Sequence, residues 1–113
     1  MTVDELYDQG LTQAGEGEND KAIATFQEVL AQDPSHGEAV RALGMTYFRM
    51  GEYDKAVEAG KKLCELLPDD ILAHTSLSMY YQKKNMIAEA EHEGAQARLL
   101  SWKEQLKNPP PKT

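Results

Sequence analysis

The sequence predicts an all-α fold in which three helical hairpins stack in series and the last ends in a long helix. Three observations predict it. The chain repeats itself at a fixed step, since "GENDKAIATF" at 17–26 returns as "GEYDKAVEAG" at 51–60, 34 residues later. Each block carries start and stop signals for two helices. The composition is that of an ordinary globular chain, 41% apolar and 27% charged over 113 residues, near the size at which one core is adequate.

Laid out in blocks of 34, the columns keep register. Gly10, Gly44 and Ser78 share a column of small residues, and Ala22, Ala56 and Ala90 share another. Gly17, Gly51 and Asn85 share a third, made of residue types that tolerate a left-handed backbone. Pro34 and Pro68 close the first two blocks, and Trp102 stands in that column of the last. Leu43 matches Leu77, and Tyr47 matches Tyr81.

The elements follow in order. A first helix over 3–15 starts at Thr2, which has capping-box spacing to Glu5, and stops before Gly17. The second, 19–32, begins where Glu18 and Asp20 favour the positive end of the helix dipole, and halts before Pro34. The third, 36–50, takes Ser35 and Glu38 as its capping box and ends at Gly51. The fourth, 53–66, has Glu52 and Asp54 at its start and Pro68 beyond its end. The fifth, 70–84, is terminated by Asn85. No proline interrupts the sixth, so it runs from 87 to 106 and carries Leu99, Leu100, Trp102 and Leu106. The tail "NPPPKT" at 108–113 is expected to be extended and disordered. One hairpin cannot bury its apolar face alone, whereas three stacked hairpins can.

This pattern resembles the tetratricopeptide repeat: a small residue at position eight, Tyr at eleven, Gly at fifteen, Ala at twenty and Pro at thirty-two of a 34-residue unit. The resemblance covers residues 3 to about 102, as repeats 3–36, 37–70 and 71–104 of one domain spanning 1–107. It implies a right-handed superhelical stack. There are departures. Gln9 and Gln13 stand where Leu and Tyr are usual, so the first end is expected to be wetter. Gly60 and Gly94 replace the aromatic seen as Phe26. An interior helical glycine costs about 1 kcal/mol against alanine. Compensation is expected from a close helix approach or a large neighbour such as Tyr80 or Tyr81, the alternative being a ligand pocket.

Composition also excludes functions. A net charge of −7 leaves no excess of Lys and Arg to displace counterions from nucleic acid. One cysteine, Cys64, rules out an internal disulfide framework or a cysteine-cluster metal site. The acidic start, Met1 to Glu5, is unlike a secretory leader, and no apolar run is long enough for a membrane span. A cytoplasmic protein with no membrane insertion is the expectation. His36, His74 and His92 show no i, i+4 pairing, so no metal site is expected, and Cys64 shares the column of Leu30 as a small buried hydrophobe. No phosphate loop, dinucleotide turn or nucleophile elbow occurs, so neither catalysis nor a cofactor is expected.

Family members of this kind are mostly protein-interaction modules whose first helices line a concave groove. Carried over by position, the groove residues are Asp4, Tyr7, Leu11 and Ala14, then Glu38, Arg41, Met45, Phe48 and Arg49, then Leu72, Thr75, Met79, Gln82 and Lys83. The middle of this set is apolar and soft, and Arg41, Arg49 and Lys83 flank it, able to meet a carboxylate. Chaperone-binding members clamp a C-terminal carboxylate with Lys, Asn and Arg. Tyr7, Leu11, Ala42, Leu72 and Ser76 occupy those positions here and match none. The expected ligand is an apolar peptide segment or helix, unless the chain's own end fills the groove. The competing expectation is a self-assembling unit, with Trp102 and Leu106 as the oligomer contact instead of packing back on their own repeat.

Overall fold

The structure, a computed structural model, describes residues 1–109 and 111; the remaining positions of the proline-rich tail lie outside the described residues. Six helices follow one another: α1 (Val3–Gly15), α2 (Asn19–Gln32), α3 (Gly37–Arg49), α4 (Tyr53–Leu66), α5 (Ile71–Lys83) and α6 (Ile87–Lys107). No strand occurs among the described residues. The punctuation acts as the sequence demands. Gly17, Gly51 and Asn85 adopt φ of 81°, 80° and 60°, the left-handed turn within each hairpin. Thr2 and Glu5 form a complete capping box at α1.

One cap differs. Ser35 does not cap α3; His36 does, its Nδ1 accepting from the Ala39 N–H at 3.0 Å. The reason is the turn before it, where the Ser35 N–H is held by the Asp33 carboxylate, so the helix starts one residue later. The His36 ring also lies 5.1 Å from that of Tyr7, tying the cap to the first repeat.

Each helix packs on its sequence neighbours, α1 on α2, α3 on α4 and α5 on α6, with α2 against α3 and α4 against α5 joining the hairpins. α1 also reaches α3, whereas no two even-numbered helices approach each other as closely. At the first repeat boundary the odd-numbered helices therefore lie on the inner side of the bend, as the resemblance implies for all three repeats. Its Cα radius of gyration is 15.5 Å over extents of 47 × 33 × 26 Å, longer than the roughly 13 Å of a compact globule of this length.

The core is a chain of small clusters between consecutive helices. Leu6, Val29 and Ala39 join α1, α2 and α3; Val40, Leu63 and Ala73 join α3, α4 and α5; Ala56, Val57, Leu77 and Tyr80 continue the seam. The small-residue columns are where backbones approach. A Cβ added to Gly10 would lie 2.5 Å from the Phe26 ring, and the Ser78 hydroxyl donates to the Ala90 carbonyl at 2.8 Å. Gly60 makes room for a large neighbour and is not a pocket: a Cβ there would sit 3.0 Å from Leu77 and 3.2 Å from the buried Tyr80 ring. Gln13, in place of a tyrosine, is half-buried and accepts from Thr25 at 2.7 Å.

Candidate functional site

Leu11, Met45 and Met79 occupy the same position of three successive repeats, on α1, α3 and α5, and stay 42%, 53% and 41% exposed. Long apolar side chains left open at matched positions of stacked helices form a stripe along the inner face. Leu72 extends it at 64% exposure. Tyr7 and Phe48 sit lower, half-buried: Tyr7 stands against Phe26 and His36, and Phe48 against Tyr53 and Tyr80 at 5.6 and 5.3 Å. Those rings form the floor and the methionines the surface. Asp4, Glu38, Thr75, Gln82 and Lys83 are exposed around it, and Ala14 is half-buried at its end. α6 packs on α5 but leaves Met79 exposed, so among the described residues no helix covers the stripe.

The cations are not all free for a ligand. The Arg41 guanidinium is bonded to the Asp70 carboxylate across the repeat boundary and also faces Glu38 at 3.7 Å, so it serves the fold. Burial alone would raise the Asp70 carboxyl, but the Arg41 hydrogen bond and the N–H groups of Ala73 and Leu72 outweigh it and hold it below the usual carboxylate range. Asp70 is at once the cap of α5 and the partner of Arg41. Arg49 is exposed and reaches the Ala14 carbonyl at 3.3 Å, and among the described residues Lys83 is the one of the three cations with no ion pair or hydrogen bond.

A second constellation escaped sequence reasoning. Cys64 of α4, His74 of α5 and Glu93 of α6 place one sulfur, one nitrogen and one oxygen within 4.8 Å of one another. Spacing along a single helix could not reveal it, because each residue comes from a different helix. Cys64 is half-buried rather than fully buried; it packs against the core clusters on one side and borders a cleft of about 410 Å³ on the other, which Leu77, Tyr81, Glu89, His92 and Glu93 also line. Burial, then the Glu93 charge, pushes its thiol up to about 12. A thiol pushed up in this way is a weaker nucleophile at neutral pH than a free one. His74 meets both Cys64 and Glu93 through the same Nδ1, so the trio lacks the in-line base and orienter that nucleophilic catalysis uses.

Residues 7–71 match the tetratricopeptide repeat family, more than half the chain, and the chain belongs to that family. Solved structures agree. A crystal structure of MamA is 29% identical with a TM-score of 0.88, covering 91% of this chain and 60% of that one. The type III secretion translocator chaperone SycD of Yersinia enterocolitica gives 22% and 0.83, covering 96% of this chain and 79% of its own. The second repeat domain of Spaghetti (RPAP3), bound to the HSP90 peptide SRMEEVD, gives 18% and 0.81 over 87% of this chain and 91% of its own. The last two likenesses are of fold. This chain spans about 60% of the length of the MamA chains it matches. Among the described residues no helix is long and apolar enough to cross a membrane.

Proposed function

We propose that the protein is a non-enzymatic interaction module that holds an apolar peptide segment or amphipathic helix on its inner face. The observation that carries this is the stripe of Leu11, Met45 and Met79, exposed at one position of three repeats. Exposed apolar surface of this continuity marks interaction sites, and methionine adapts to irregular partners. MamA, the SycD chaperone and the peptide-bound Spaghetti domain share the fold that presents such a face. An acidic tail peptide of the HSP90 kind is a poor fit, since Arg41 is already paired with Asp70 and the inner face is apolar.

The test is a comparison of wild type with Leu11→Glu, Met45→Glu and Met79→Glu combined. All three side chains are exposed, so helix content and melting temperature should hold. Peptides selected on wild type from a displayed library should be apolar at i, i+3/i+4 spacing and lose more than about tenfold in affinity on the variant. Selected peptides that bind both proteins equally would remove the site from the inner face.

A second reading has its own observation. Leu99, Trp102 and Leu106 are 46%, 60% and 66% exposed along the free side of α6, a sticky end that a second copy could cover. It is compatible with the first, because the two surfaces lie on different helices.

A further inference from the structure

We propose that Cys64, His74 and Glu93 form a binding site for a divalent transition metal of the Zn²⁺ class, clipping the second repeat to the third. The geometry starts at the histidine. His74 Nε2 lies 2.7 Å from the Pro68 carbonyl, which can only accept, so Nε2 carries the hydrogen. Fixing a ring through a backbone carbonyl in this way is the usual support of a metal-binding histidine, because it aims the other nitrogen's lone pair.

That other nitrogen, Nδ1, faces Cys64 Sγ at 3.7 Å and Glu93 Oε1 at 3.4 Å. Tetrahedral ligands at ordinary Zn–S, Zn–N and Zn–O bond lengths stand roughly 3.3–3.6 Å apart; the two separations from Nδ1 are close to that, and with all three atoms within 4.8 Å of one another the thiol and the carboxylate need only draw together around the ion. Among the described residues Glu93 Oε2 is buried without a hydrogen-bond partner, so the protein's own groups leave polar capacity at this place unmet. A divalent ion at the centre would be met by Sγ, Nδ1 and Oε1, and sulfur with imidazole and carboxylate is a borderline-soft set. The fourth position opens on the cleft rimmed by Glu89 and His92.

Binding exchanges the thiol proton for the metal: the S–H bond breaks, the S–metal bond forms and one proton leaves to solvent.

The test uses the full chain after chelator treatment. Co²⁺ titration should give thiolate-to-cobalt charge transfer and the intense visible bands of a four-coordinate site. Zn²⁺ added to the metal-free chain should release one proton per ion and raise the melting temperature, and it should displace bound Co²⁺ without further proton release. Cys64→Ser should abolish the charge-transfer band and weaken Zn²⁺ binding by about a hundredfold or more, while Glu93→Gln should weaken it at least about tenfold. Both variants nearly preserve shape, and helix content measured without metal separates lost binding from lost folding. A wild-type spectrum without charge transfer, or Zn²⁺ affinity unchanged within threefold in a folded Cys64→Ser, would overturn the proposal.

Discussion

At the scale of single residues, the glycines divide by what surrounds them, and substitution should divide them the same way. A Cβ at Gly10 would stand 2.5 and 2.8 Å from ring atoms of Phe26, which is wholly buried and has nowhere to turn. Overpacking a core costs about 1–3 kcal/mol, and a ring this confined belongs in the upper part of that range. Alanine returns about 1 kcal/mol of helix propensity. Gly10→Ala should therefore lose about 1–2 kcal/mol. Gly94 has nothing closer than 3.5 Å, and its nearest neighbour is the end of a flexible arginine. Gly94→Ala should gain about 0.5–1 kcal/mol. Urea unfolding of the two variants decides it; equal effects would show that close approach at the Gly10 column is not what fixes hairpin spacing.

Among elements, Asp70 does the most for its size. It caps α5 by accepting from the Leu72 and Ala73 N–H groups at 2.9 and 3.2 Å, and it pairs with Arg41 of α3. Losing the cap costs about 1 kcal/mol. Stranding a mostly buried guanidinium adds to it, less than in a deep core because Glu38 is a second partner. Asp70→Ala should lose about 2–4 kcal/mol by denaturant titration. The pH dependence has a definite sign. Asp70's folded carboxyl lies below its unfolded value of about 3.9, so its contribution is full above that value and disappears as pH falls through the folded one. Wild-type stability should fall between about pH 5 and pH 2, and Asp70→Asn should flatten part of that fall; an unchanged slope would mean the pair does not link the repeats. The helix ends were legible because Gly17, Gly51, Asn85 and the prolines act locally, through backbone geometry. The His36 cap was not, since it depends on how the Asp33 turn holds Ser35. Arg41 meeting Asp70, and Cys64 meeting His74 and Glu93, were beyond sequence reasoning for a different reason: each joins helices whose facing sides are set by stacking. Leu11, Met45 and Met79 were expected together only through the groove positions that the tetratricopeptide resemblance implies; the repeat period by itself matches their columns without saying which side those columns face.

At the scale of the molecule, a stack whose helices pack mainly on their neighbours has two ends, and the ends differ. At the first, Gln9 is exposed and Gln13 is satisfied by Thr25, so α1 presents a polar outer side. At the other, α6 outruns α5 and carries Leu99, Trp102 and Leu106 into solvent at spacings that keep them on one side of the helix. Exposed apolar stripes of this kind mark interaction surfaces. Covering this stripe with the same stripe of a second copy is the symmetric solution open to the chain itself. Trp102 is the single tryptophan of the sequence and reports on it. If the ends pair, sedimentation should show mass rising with concentration while the indole emission moves to the blue, and Trp102→Phe with Leu106→Glu should hold the protein monomeric. A ligand on the inner face should leave the emission where it is, because Trp102 lies on α6 and the stripe of methionines on α3 and α5. A constant monomer mass with solvated emission would confine association to the inner face, and emission that shifts with a peptide alone would mean the ligand reaches α6.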